Sequence, residues 1–252
     1  MGKLQGKTAI VTGATGGIGE ATARLFLEEG ANAMLVGRSP EKLKATRAGL
    51  DGGNRLASSV ADAADEAATA AAAAATVKAF GGVDILVANA GDEGAMKPIE
   101  GINLEDFERL LRTNVIGVWL AMKHCVEPMK KRGGGSMIAL ASVAGLIGFA
   151  DGAPYVASKH AVCGLVKAAA LELGPSGIRV NAIAPGPIDN RMIHSIETQI
   201  SPDNPGAVRD TLLARIAMKR YGTNEEVAHL AGDGSTYCTG SIFTIDGGYT
   251  AA

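Results

Sequence analysis

Tyr155 and Lys159 stand four positions apart in the stretch APYVASKH, residues 153–160, among small and apolar neighbours. On a helix, residues at i and i+4 share one face, so the lysine ammonium would sit beside the phenol and act on its acidity. A phenol tuned in this way can give or take a proton; the same pair on a solvated helix face does nothing. So short a motif acquires meaning only from a fold that sets it beside a reacting group.

A second stretch with chemical content is AIVTGATGGIGEATARLF, 9–26, which reads as a strand, a glycine-rich turn and an amphipathic helix in that order. A helix N-terminus presents free N–H groups and partial positive charge, so a pyrophosphate can settle there when no side chain blocks its approach. In the spacing TGxxxGxG, Gly13 suits the tight turn, Gly17 the close approach and Gly19 the packing of helix on strand. About twenty positions on, the strand ANAMLVGRS ends in Gly37 and Arg38, where an acidic residue would hold an adenosine 2′-hydroxyl. A guanidinium there matches a 2′-phosphate in charge and geometry, so Arg38 favours NADP(H), with NAD(H) the alternative if Arg38 is only a polar-turn residue.

The elements that must position these residues alternate along the chain. TAIVTG, ANAMLVG, DILVANAG, SMIALAS, IRVNAIAPG and SIFTIDGG read as strands buried on both faces, with NRLASSV a weaker seventh. Segments such as 17–29 and 104–130 lie between them with apolar residues at three- and four-residue spacing. The alanine run at 61–80 reads as an outer helix. Strand and helix alternating in this way imply an α/β fold: a Rossmann-type, doubly wound parallel sheet of about seven strands with helices on both faces. No linker composition divides residues 1–252, so one domain is expected.

Composition removes several partners. A net charge of −2 and a pI near 6.1 offer no basic footprint for nucleic acid or anionic lipid. Cys125, Cys163 and Cys238 are far apart, odd in number and without metal-ligand spacing, which suits a reducing compartment and no metal. His124, His160, His194 and His229 are scattered and form no triad or metal set. The N-terminal MGKLQGKTAIVTG enters a strand without an apolar leader, and the longest apolar stretch is too short and punctuated to span a bilayer. The expectation is a cytoplasmic protein with a small-molecule substrate and neither nucleic acid nor membrane as partner.

Taken together and in order, TGATGGIG (12–19), ANAG (88–91), RTNVIG with Asn114, ALASVAG with Ser142, YVASK with Tyr155 and Lys159, PGPIDN (185–190) and the terminal IDGG resemble the short-chain dehydrogenase/reductase family, over nearly the whole chain. The likeness is to its compact subgroup and to 3-oxoacyl reductase-like members. The resemblance implies hydride transfer between a nicotinamide and a carbonyl or secondary alcohol. It casts Tyr155 as general acid/base, Lys159 as the cation that lowers the phenol and bonds the nicotinamide ribose, and Ser142 as the hydroxyl that holds the substrate oxygen. Asn114 is implied to bend its helix and hold a water leading from Lys159 to solvent. Cofactor contacts are implied for Gly13, Thr15, Gly16, Gly17, Ile18, Gly19, Arg38, Val60, Asn89, Gly91, Tyr155, Lys159, Pro185, Gly186 and Ile188. A substrate lid is implied at about 189–221, carrying Met192, Ile193, His194, Ile196, Leu212, Leu213 and Ile216 among Arg191, Arg209 and Arg215. Asp92, Glu93 and Met96 follow the ANAG turn near where a substrate would lie.

The chain departs from the family pattern in three places. Ser59, with Asp62 three residues on, stands where an aspartate usually meets the adenine amine. Asn190 replaces the threonine after PGPID and can still donate a hydrogen bond to a carboxamide or phosphate. The stretch NEEVAHLAGDGSTYCTG is about four residues short of the helix that commonly forms a subunit interface, so a homo-oligomer, tetramer or dimer, is expected with less support for the tetramer. Two other readings stay open: an NAD-dependent alcohol or sugar dehydrogenase, and a dinucleotide-sensing protein without catalysis.

Overall fold

The computed structural model describes residues 2–228 and 236–251. Seven strands form one parallel sheet: β1 (Thr8–Thr12), β2 (Asn32–Gly37), β3 (Leu56–Val60), β4 (Ile85–Ala88), β5 (Gly135–Leu140), β6 (Ile178–Pro185) and β7 (Ile242–Ile245). Their order is β3-β2-β1-β4-β5-β6-β7. The chain winds outward from β1 through β2 to β3, then crosses back to lay β4 against the other side of β1. The crevice at the carboxyl ends of β1 and β4 is therefore the switch point where ligands settle in open α/β sheets.

Alternation along the central strands divides the core into two layers. Ile10, Met34, Leu86 and Met137 point to one face with Ala72 and Ala73 of α3 (Glu66–Phe80), Met122 and Cys125 of α5 (Gly117–Lys131) and Val162 and Val166 of α6 (Ala153–Leu173). Val11, Leu35, Val87 and Ile138 point to the other with Phe26 and Leu27 of α1 (Gly17–Glu28) and Leu43 of α2 (Pro40–Ala48). The central strands β1, β2, β4, β5 and β6 are buried on both faces as their apolar runs predict. The edge strands β3 and β7 are not: apart from buried Leu56 their residues are half-buried or exposed, because an edge has helix cover on less of its surface.

The helix expected over 104–130 is made of three pieces. α4 (Leu104–Leu111) runs through a π turn at Arg112–Ile116 into α5. A π turn inserts one residue into the helical ladder and re-aims the side chains around it, which is common at functional sites. Beyond β6, α7 (Arg191–Ile200) and α8 (Pro205–Arg215) fold over the sheet's carboxyl end, and α9 (Asn224–Ala228) packs against α1. The shortened stretch noted before β7, with His229, lies partly outside the described residues.

Candidate active site

The nucleotide end is built by backbone. Gly13 has φ +62°, and a Cβ on it would lie 2.8 Å from the Ala90 Cα; one on Gly17 would meet the Asn224 side chain at 2.6 Å. A Cβ on Gly19 would strike the Gly13 carbonyl and the Asn89 amide. Asn89 ties β4 to this turn, donating through Nδ2 to the Thr12 and Gly13 carbonyls at 3.1 and 3.0 Å. The helix α1 starts at Gly16 with no side-chain cap, so its first N–H groups face a cleft of about 510 Å³ with their partial positive charge unspent. A pyrophosphate-bearing nucleotide fits that cradle.

Thr15, Gly16, Gly17, Ile18 and Arg38 line this cleft, as do Asn89 and Gly91. Arg38 is exposed, and its side chain forms no hydrogen bond or ion pair among the described residues. Lys42, on the first turn of α2, lines the same mouth and was not among the expected cofactor residues. Ser39 caps α2 through a 3.2 Å bond from the Lys42 N–H and so sets the course of that turn. Opposite, Ala61 and Asp62 line the cleft, while Ser59 and Val60 do not; Val60 is 53 % exposed at the sheet edge.

A second cavity of about 430 Å³ adjoins the first, the two sharing Ile18, Asn89, Gly91, Asn190 and Met192. Ser142, Tyr155, Lys159, Pro185, Gly186 and Ile188 all line it. Tyr155 and Lys159 share one face of α6 and are only 7 % and 5 % exposed, which disposes of the solvated-helix reading. The ammonium lies 5.6 Å from the centre of the Tyr155 ring and donates to the Leu140 carbonyl at 2.7 Å. Burial lowers the ammonium to about 8, so it stays mostly charged at neutral pH. Burial also pushes the Tyr155 phenol up to about 12, with a hydrogen bond to Ser142 opposing the rise and the Glu93 carboxylate adding to it. The sequence led us to expect a phenol lowered by Lys159; burial, the largest influence on the group, raises it instead.

Ser142 follows β5 in extended backbone and accepts from the Ala144 N–H at 3.2 Å. Asn114 lies in the π turn, completely buried, with its side chain consumed: Oδ1 accepts from the Asp92 N–H at 2.8 Å, and Nδ2 donates to the Asp92 carbonyl and to Ser158 Oγ at 2.9 and 3.1 Å. Its side chain therefore braces the loop after β4 against α6. The bend expected at this residue is present as the π turn.

Helix α7 is fastened over this cavity. Asn190 caps it through the Met192 N–H and donates to Asn224 at 3.1 Å, so its amide is already engaged. Met192 Sδ is 3.9 Å from the Tyr155 hydroxyl. Arg191 grips Glu93 with two bonds of 2.8 and 2.9 Å, and Gln199 bonds Met96 and Gly94. Burial raises the Glu93 carboxyl, but Arg191 and Ser195 outweigh it and hold the group ionised below the usual range. This latch joins residues 98 apart and has no local sequence signature.

Known proteins match this arrangement from end to end. A family model described as enoyl-(acyl carrier protein) reductase matches residues 13–250. Levodione reductase of Leifsonia aquatica is 36 % identical, covering 98 % of this chain and 95 % of its own, and cis-4-hydroxycyclohexanecarboxylate dehydrogenase of Sinomonas cyclohexanicum is 37 % identical over 97 % of each. A 3-alpha-(or 20-beta)-hydroxysteroid dehydrogenase of Mycobacterium bovis is 38 % identical, over 99 % of this chain and 92 % of its own. The crystal structure of levodione reductase superposes with a TM-score of 0.94 over 99 % of this chain and 100 % of that one. With its switch-point cleft, glycine cradle and buried tyrosine–lysine pair, the chain belongs to the short-chain dehydrogenase/reductase family, as an oxidoreductase of alcohols and ketones.

Proposed function

We propose that the protein is an NADP(H)-dependent reductase of alicyclic ketones, working reversibly on the corresponding secondary alcohols, with Tyr155 as the proton donor. The observation that carries this reading is the buried phenol of Tyr155 at the wall of a mostly apolar cavity, lined also by Ser142 and Lys159, that adjoins the nucleotide cleft. A nicotinamide nucleotide, when bound, supplies or accepts the hydride. The cradle of Gly13, Gly16, Gly17 and Gly19 holds its pyrophosphate against α1, and Arg38 with Lys42 meets a 2′-phosphate. Asp62 stands in for the missing aspartate at the adenine end.

At the reacting carbon the residues of this chain divide the work. Ser142 holds the substrate oxygen and steadies the charge that develops on it. Tyr155 delivers its proton to that oxygen, and Lys159, charged and beside the ring, favours the phenolate that remains. Ile147, Phe149, Ile193 and Ile196 keep water from the site. The relatives named for a hydroxycyclohexane ring and a hydroxysteroid support an alicyclic substrate.

The whole chain 1–252 acts as one catalytic domain, with 189–221 as its lid. Leu104, Ile116 and Trp119, exposed along α4 and α5, supply apolar surface for a homo-oligomer, dimer or tetramer. Among the described residues no helix is long and apolar enough to cross a membrane, and Cys125, Cys163 and Cys238 are all free thiols, which accords with a cytoplasmic setting. The test is steady-state turnover of cyclohexanone and larger ring ketones with NADPH and NADH. Reduction with NADPH preferred is expected; nucleotide binding without turnover on any ketone would instead support a sensor.

A further inference from the structure

Among the described residues around the 430 Å³ cavity, only Asp151, Lys159 and Arg215 carry formal charge, and Lys159 belongs to the proposed reacting set. Arg215 ends α8 with its guanidinium 4.6 Å from the centre of the Tyr249 ring. Among the described residues its side chain has no hydrogen bond or ion pair. The other lid arginines named above are committed, Arg191 to Glu93 and Arg209 to Asp189 at 3.8 Å. Arg215 is exposed where it lines the cavity and has no acidic partner among the described residues, so it is open to an anionic ligand.

We propose that Arg215 reads an anionic substituent, a carboxylate, on the alicyclic ketone or alcohol that this cavity takes; the inference rests on the reading of the cavity as the substrate site. The guanidinium lies over the Tyr249 ring, whose face attracts the cation and holds it beside the cavity, and its N–H donors are not engaged by other described residues. A planar fork of donors binds a carboxylate by two parallel bonds. Asp151 lines the same cavity but forms no ion pair with Arg215 among the described residues.

The test pairs a binding measurement with a kinetic one. By calorimetry on the NADP⁺-loaded enzyme, cyclohexanecarboxylate should bind more tightly than the neutral cyclohexanecarboxamide by about tenfold, the low end for a charge-assisted pair because Arg215 is exposed. Arg215→Gln should erase that ratio, and Arg215→Lys should keep part of it, showing that charge and not a folding defect is responsible. In turnover, the ratio of kcat/KM for 3-oxocyclohexanecarboxylate to that for its methyl ester should fall by about tenfold in Arg215→Gln. Equal binding of acid and amide, an acid-to-amide ratio unmoved by Arg215→Gln, or tighter binding of cyclohexylamine than of the acid overturns the proposal and assigns the wall's selectivity elsewhere. Selective binding of the acid with no turnover of any ketone leaves Arg215 as the anion reader and overturns the reductase reading instead.

Discussion

Replacing Gly37 with aspartate sets a carboxylate at the mouth of the nucleotide cleft, beside Arg38 and across from the first turn of α2. A Cβ at Gly37 would lie 3.5 Å from the nearest atoms of Leu43 and Thr15, and the backbone is not in the left-handed region, so the side chain enters without a clash. Two unit charges about 4 Å apart repel by about 1 kcal/mol in water and about 4 kcal/mol at a partly shielded surface, and the exposure of Arg38 puts this site nearer the first value. The new carboxylate also accepts from the ribose hydroxyls of NADH, adding about 1 kcal/mol on that side. The preference for NADPH over NADH should therefore fall by about 2–3 kcal/mol, or roughly thirty- to two-hundredfold. Arg38→Ala alone, which removes one exposed cation and leaves Lys42, should weaken NADPH binding by about tenfold and leave NADH little changed. The assay is kcat/KM with each cofactor for wild type, Gly37→Asp, Arg38→Ala and Lys42→Ala, with dissociation constants from nicotinamide fluorescence. A wild-type preference for NADH, or a ratio that Gly37→Asp does not move, refutes the reasoning.

Lys159→Met should weaken NADPH binding and lower kcat together, since the ammonium is proposed to serve both the ribose and the phenol; fluorescence titration and single-turnover rates separate the two losses. The rate of ketone reduction should be level at neutral pH and fall as pH rises through about 8, where the buried Lys159 ammonium loses its proton while Tyr155, up at about 12, keeps its own. Because that ammonium is lowered by folding, the unfolded chain binds more protons between about 8 and the ordinary lysine value of about 10.4, so this group's contribution to stability grows with pH there, as denaturant titrations can read. Gly19→Ala should destabilise the fold by about 1–3 kcal/mol and abolish nucleotide binding, because its methyl group meets the Gly13 carbonyl and Ala14 Cα within the packed turn. Arg191→Ala should raise KM several-fold with a smaller loss in kcat, since it frees the lid from Glu93 without touching Tyr155.

The strand-to-helix rhythm and the shared helical face of the tyrosine–lysine pair were legible because both rest on local patterns. Apolar runs such as TAIVT and SMIAL declare strands covered on both faces, and Tyr155 and Lys159 declare a shared helical face through their spacing. What escaped depends on distance in the chain or on position in the sheet. Val60 belongs to an edge strand whose last side chain turns outward, which no pattern within LASSV reveals. Lys42 reaches the cleft because Ser39 and Pro40 start α2 directly after β2 and bring its first turn to the glycine loop. The π turn at Asn114 breaks a helix that periodicity alone would carry from 104 to 130. Spacing places a cation beside the Tyr155 ring, while the burial that raises its phenol comes from Met96, Leu110, Phe149 and Ile196, drawn from four other parts of the chain.

The central claim is that Tyr155 gives the proton in a carbonyl reduction. Its most direct test is the pre-steady-state reduction of cyclohexanone by Tyr155→Phe with saturating NADPH, beside a fluorescence titration of the same variant with NADPH. The account predicts a rate lowered by about 10²–10⁴, as for loss of a positioned acid, with the NADPH dissociation constant changed by less than about threefold. A variant that keeps more than about a tenth of the wild-type rate would contradict it.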